Sequence, residues 1–295
     1  MKFSLNIGDL YAILTAISWS TSVILFQISG KKISTMRIGM IKNLIGVIGF
    51  ILILISQGNQ FPTFQSNDLK ILVLSGFFGI AIGDLLFLAS LKRLGAGLNA
   101  IVSTTYTPFI FFLAYIILNE SISIATYLGS TLILIGIVIG SFKHNRLYNK
   151  KDLLLGLLFG VLAQVFTTAS IIYVKPLMQE YSVVSIAFVR FSIGLIFNTI
   201  FLVYFEGASS IRKSIVLGFN NVYLVSGAFL GTFISVLLWL AGFKYTLAGR
   251  AAIYNQLSTI FIILLASVFL KESMTIKKWV AVFCAFFGAL IVSLG

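Results

Sequence analysis

The sequence predicts an all-α polytopic membrane protein, with ten transmembrane helices arranged as two inverted five-helix repeats. Three observations lead there. Of the 295 residues, 59% are hydrophobic and only 10% charged, against about 25% in a soluble domain, so the chain cannot cover itself with a wetted surface. Apolar runs near 20 residues recur along the whole length, each long enough to cross about 30 Å of hydrocarbon as a helix. Finally, the stretch 72–139 is written again at 224–291, a shift of 152 positions. Leu, Ile and Ala identities carry little weight in an apolar chain. Lys92 with Lys244, Glu120-Ser121 with Glu272-Ser273, and Gly79, Gly97 and Gly136 with Gly231, Gly249 and Gly288 carry more.

Apolar runs and their polar breaks place the first five helices at about 9–29, 34–55, 69–91, 97–118 and 123–142. The second five fall at about 152–174, 182–205, 221–243, 249–270 and 276–294. Domain organisation follows: a first repeat over 1–142, a basic connecting loop over 143–151, and a second repeat over 152–295. The repeat extends weakly into the first two helices of each half, where Asp9-Leu10 resembles Asp152-Leu153 and Lys42 with Gly46 aligns with Arg190 and Gly194. Five is odd, so the second unit must enter the membrane upside down, a transporter signature. The first run is too long for a signal peptide and lacks a small-residue cleavage site, so it is expected to be retained.

Charge placement supports an outward N-terminus and C-terminus. With that orientation fourteen of the 21 Lys and Arg fall in cytoplasmic loops and five outside, leaving Lys42 and Arg190 in the membrane. The net charge of +13 is therefore topological, and no nucleic-acid partner is expected. Cys284 is the one cysteine and His144 the one histidine, lying in the connecting loop, so no cofactor, metal site or histidine catalysis is expected. No Gly-x-x-x-x-Gly-Lys motif is present, which argues against an ATP-driven pump.

The residues then resemble the EamA-like family of the drug/metabolite transporter superfamily over essentially the whole chain. The resemblance rests on Trp19-Ser20, on Lys42 and Arg190, on the run from Ala89 to Gly97, on Pro108, on Asn119-Glu120-Ser121, and on Gly129 and Gly136. Its echo runs from Ala241 to Gly249, then Lys271-Glu272-Ser273 and Gly288. Ile260 and Ala281 stand where Pro108 and Gly129 would be repeated, and lysine replaces the family's usual arginine at 42, which weakens a bidentate anion role there. What the resemblance implies is a multi-pass carrier of the cell (inner) membrane. Its central cavity would be lined chiefly by helices 1, 3, 4, 6, 8 and 9, with helices 5 and 10 behind.

Candidate residues follow from depth and chemistry. Asp84 is the one carboxylate well inside a span; it could bind a cationic group, carry a coupling proton, or pair structurally with Lys92 or Lys42. Lys42 and Arg190 lie about eight residues into their spans, roughly 12 Å deep. They are read either as snorkelling anchors or as a clamp for an anion. Glu120 and Glu272 precede helices 5 and 10 and suit helix capping rather than proton coupling. The run Ser103–Pro108, with Tyr106, and its echo around Tyr254, Asn255 and Gln256 place polar groups at equivalent depths, which favours a central site over ordinary helix–helix bonding. Pro108 should kink its helix. Trp19, Gln164, Thr167, Tyr173 and Trp239 would add to the cavity, and the glycines near Gly79 serve close helix packing.

The function expected is a secondary transporter of a small polar or amphipathic metabolite by alternating access, with amino-acid or metabolite export suggested by the resemblance. An exchanger or facilitator for an anionic metabolite, using Lys42 and Arg190, is the alternative; a channel or lipid scramblase is more remote. An enzyme is not expected, since the spans lack a nucleophile–base pair. Partners would be the small-molecule substrate and membrane lipid, and a monomer can house both repeats.

Overall fold

The structure is a computed structural model that describes residues 6–58, 62–121, 123–141, 149–271 and 274–293. It is helical throughout, with no strand among the described residues. His144 and the pair Glu272-Ser273 lie outside the described residues.

Helix α1 (Ile7–Ser29) starts at a reciprocal cap: Asn6 Oδ1 accepts from the Asp9 amide, and the Asn6 amide donates to Asp9 Oδ2. Helix α2 (Thr35–Ser56) is capped by Ser34. Next, α3 (Ser66–Ser75) passes through a wide π-helical turn, Gly76–Gly83, into α4 (Asp84–Val102). A 3-10 turn, Ser103–Thr105, leads to α5 (Tyr106–Leu118), and α6 (Ile124–Ser141) closes the first half. The second half holds α7 (Lys150–Val174), α8 (Val183–Glu206), α9 (Ser209–Phe219) and α10 (Val222–Ala228). After a π turn at Phe229–Ile234 come α11 (Ser235–Tyr245), α12 (Ala248–Asn255), α13 (Leu257–Phe269) and α14 (Ile276–Ser293).

Among the described residues seven helices are long and apolar enough to cross a membrane. One of them, Ser66–Leu118, has 53 residues and would reach roughly 80 Å as a single rod. Gly95, at φ 75° and ψ 173°, breaks it with a conformation only glycine adopts freely. The large side chains left exposed, such as Leu52, Ile55, Phe112, Ile116, Leu158 and Ile200, suit contact with lipid tails rather than water. The chain is therefore an integral, multi-pass membrane protein.

One element was not anticipated. Helix α9 follows Gly207, whose φ of 84° turns the chain out of α8. With eleven residues it is far too short to span. It buries Ser210, Ser214 and Gly218 while exposing Val216 and Phe219. It lies between the spans expected at 182–205 and 221–243, and its apolar stretch is brief and follows Arg212-Lys213.

Backbone irregularities recur at matched places. The π turns begin at Gly76 and Phe229, and the later breaks fall at Ser103–Thr105 and at Gln256. Asn119 (φ 52°) and Lys271 (φ 55°), 152 positions apart, are the two non-glycine residues with positive φ among the described residues. Packing is matched too. Helix α1 lies against α10 to α13 of the other half, while α7 lies against α3, α4 and α5; α2 packs on α8, and α6 runs along α14. One apolar cluster, including Ile110, Leu177, Phe191 and Phe243, fills one side of this assembly. A second, including Phe26, Ile41, Leu91 and Ile262, fills the other.

Candidate functional site

Between those clusters lies a cavity of about 160 Å³, lined from α1, α2, the Gly76–Gly83 turn, α4, α5, α7, α8, the Phe229–Ile234 turn and α11–α13. Among the described residues the back pair α6 and α14 contributes nothing to it. Helices α2 and α8, the second and seventh of the ten expected, contribute through Lys42 and through Arg190 with Phe191; both cations were candidates, although the chief lining was expected from other helices.

Glycines let the walls approach. A Cβ on Gly79 would sit 2.2 Å from Ser170 Oγ on α7, and one on Gly231 would sit 2.0 Å from Ser22 Oγ on α1. Both glycines lie in π turns, so each turn rests on the first helix of the opposite half. Ser170 in turn accepts a hydrogen bond from Arg190 Nη2 at 3.0 Å. Gly76 packs against the Arg190 backbone, which brings α8 equally close.

Asp84 opens α4 beside the cavity and faces Lys42 across 2.5 Å, with side chains 19% and 5% exposed. Lys42 Nζ also donates to Asn43 Oδ1 at 2.9 Å and stands 5.5 Å from the Phe191 ring centre. Of the two partners considered for Asp84, the structure selects Lys42; Lys92 is exposed and lies elsewhere. Lys42 is thus not a free half of an anion clamp.

Arg190 has no exposed surface, so it does not snorkel. Its guanidinium lies 5.7 Å from the Trp239 ring centre. Trp239 Nε1 donates to Tyr106 Oη at 3.3 Å, linking α11 to α5. Trp19 lines the opposite wall with its ring against Phe87. Gln164 donates to Ser103 Oγ at 3.3 Å, and Ser103 donates to the Asn99 carbonyl at 2.9 Å. Thr104 and Thr105 return their hydroxyls to their own helix, so this part of the run is ordinary backbone satisfaction. Asn255 and Gln256 line the cavity; Tyr254 and Tyr173 do not. Tyr254 is buried at 3% exposure, and Tyr173 is exposed outside.

The helix interruption at Ser103–Thr105 precedes Pro108, whose missing N–H leaves the Thr104 carbonyl without its α-helical donor. The same interruption occurs at Gln256, where Ile260 replaces the proline. Proline is therefore not what makes the break. Sequence reasoning also passed over Thr15, Asn99, Thr232 and Ser235, which line the cavity. Each is an isolated polar residue in an apolar run, and its helical phase relative to Trp19, Ser103 and Trp239 was the available signal.

Charged contacts close the two ends of the bundle. At the end holding the α1 start, Glu120 Oε1 takes Lys175 Nζ at 2.6 Å and Oε2 accepts the Ala248 amide at 2.7 Å. Lys175 also donates to the Thr246 carbonyl, and Asp9 pairs with Arg250 at 3.0 Å. Glu120 is a cap, as its position suggested, but it caps α12 in the other half rather than the next helix in its own. At the opposite end Arg37 and Ser34 of the α2 start hold Glu206 at 2.7 and 2.6 Å.

The model of the EamA-like transporter family matches residues 6–142 and, a second time, residues 154–294. The chain belongs to that family. Among similar proteins, an uncharacterized transporter of Archaeoglobus fulgidus is 23% identical over 97% of both chains. The uncharacterized transporter YyaM of Bacillus subtilis (strain 168) is 32% identical over 43% of this chain and 41% of its own length. A crystal structure of another protein superposes over 99% of both chains with a TM-score of 0.76 at 15% identity, which shows the shared fold alone.

Proposed function

We propose that this EamA-family member is a secondary carrier of a small polar or amphipathic metabolite, working by alternating access between two inverted five-helix units with both termini outside. The observation that carries the reading is the cavity, where polar side chains from both halves converge between two apolar clusters. Carriers place their sites at the interface of repeats, and the swapped seats of α1 and α7 make the cavity such an interface. Its volume, about 160 Å³, falls below the roughly 300–1,000 Å³ usual for drug-sized ligands, which favours a small cargo over a nucleotide sugar. Apolar packing on either side favours a carrier over an open pore or scramblase path.

Export of amino acids or related metabolites is the direction suggested by the family resemblance. The alternative, an anion exchanger using Lys42 and Arg190 together, is weakened because Lys42 is held by Asp84.

The test is counterflow in proteoliposomes against a pooled panel of amino acids, sugars, amines, nucleotides and sugar phosphates, with wild type and Asp84→Asn. Saturable, competed exchange of one class supports the carrier. Flux that neither saturates nor shows counterflow would mean a pore. Exchange that persists in Asp84→Asn but loses its response to a pH gradient would assign proton coupling to Asp84.

A further inference from the structure

We propose that Arg190 is the anchor for a substrate bearing a single carboxylate. The proposal rests on the carrier reading above and names the cargo class for the same cavity.

Arg190 is the most deeply enclosed charge on the cavity wall, with no exposed surface. Nη2 is occupied by Ser170, but Nε and Nη1 have no hydrogen-bond partner. Among the described residues no carboxylate lies within 4 Å of the guanidinium. Asp84 acts on it only at longer range while bonded to Lys42. A buried cation with no carboxylate bonded to it is heavily penalised, so a purely structural arginine should have found one. Nη2 carries a second N–H besides the one given to Ser170, and with Nη1 or with Nε it forms a planar fork that fits a carboxylate in a bidentate pair.

Charge balance fixes the number of anionic groups. Lys42 and Asp84 neutralise one another, leaving one net positive charge on the cavity wall, at Arg190. One carboxylate cancels it. A phosphate dianion would overshoot, and the lysine that could have shared it is already paired.

The rest of the wall suits the other end of such a molecule. Asn99 and Asn255 are among the residues that line the cavity, and Asn99 Oδ1 and both amide atoms of Asn255 are buried without partners, a reserve of acceptors and a donor for an amino or hydroxyl group. The Trp239 face beside the guanidinium supplies apolar cover.

The experiment uses the purified full-length chain in detergent. Its melting temperature is titrated with matched acids and amides: L-leucine against L-leucinamide, phenylacetate against phenylacetamide, and inorganic phosphate as the dianion control. Acids should stabilise the wild type with at least tenfold greater apparent affinity than their amides, and phosphate should not stabilise it. Arg190→Gln should abolish the preference, and Arg190→Lys should retain part of it. Stabilisation by leucine alone would indicate that the amino group is also read; stabilisation by both acids would assign recognition to the carboxylate by itself. Amides binding as well as acids, tighter binding of phosphate, or no acid binding would each overturn the proposal. The acid–amide comparison is made within the wild type, so a poorly folding variant leaves it intact. Counterflow separates the two readings. Exchange of a neutral sugar or an amine that Arg190→Gln leaves unchanged would keep the carrier and remove the carboxylate anchor. Acid binding without any exchange would do the reverse.

Discussion

Lys42 Nζ on α2 stands 2.5 Å from Asp84 Oδ2 on α4, so two charges that look like separate functional candidates form one neutral unit beside the cavity. Removing one member leaves the other poorly solvated. Asp84→Asn should therefore lower stability by about 3–5 kcal/mol, whereas Lys42→Met combined with Asp84→Asn should recover most of the loss. Thermal unfolding of the purified proteins compares them. A double variant as unstable as the single one would show that Asp84 contributes something other than this pair.

Glu120 joins three elements, through Lys175 after α7 and the first amide of α12. Glu120→Gln keeps the shape but loses the charge, and should lower stability by about 1–3 kcal/mol. Glu120→Ala, which also loses the cap, should cost more than Glu120→Gln. The ranking is read from melting temperatures, and equal values for the two variants would remove the capping role.

Gly79 leaves room for the Ser170 hydroxyl that holds Arg190. Gly79→Ala should force α3–α4 away from α7, at about 1–3 kcal/mol, and weaken carboxylate binding at the same time. Gly58→Ala is the control: its Cβ meets nothing within 4 Å, and only its positive φ of 63° is strained, at about 1 kcal/mol. It should leave ligand binding untouched.

Orientation is tested with cysteines in a Cys284→Ser background. Tyr245→Cys and Asn220→Cys sit at opposite ends of the α10–α11 crossing, and both positions are exposed. With both termini outside, a membrane-impermeant maleimide should label position 245 on intact cells and position 220 only after permeabilisation. The reverse pattern would invert the topology drawn from the Lys and Arg bias.

Much of the architecture was legible because hydrophobic length and periodic repetition are properties of the chain itself. The apolar runs located most of the described helices, though not α9, and the 152-position shift relates the breaks at Asn119 and Lys271. Cavity residues such as Trp19, Asp84, Gln164 and Arg190 stood out because polar or aromatic groups are costly or conspicuous inside a span. Their pairing did not stand out. Whether Asp84 meets Lys42 or Lys92 depends on the rotation of α2 against α4, and Lys92 is nearer in sequence while lying two turns along the same helix. Thr15 and Asn99 were missed because small polar residues are individually unremarkable in membrane helices. The target of Glu120 was out of reach for a related reason: a cap is ordinarily sought on its own next helix, whereas this one serves a helix that follows more than a hundred residues later.

The paired contacts of Gly79 with Ser170 and Gly231 with Ser22 bear on how such a molecule assembles. Each half lends its opening helix to the other and receives one in return, so neither half holds a finished wall of the cavity. A half made alone would keep its long helices but present an empty seat where its neighbour's first helix belongs. Completion is then a property of the meeting, and the cavity comes into being only when both halves are in place.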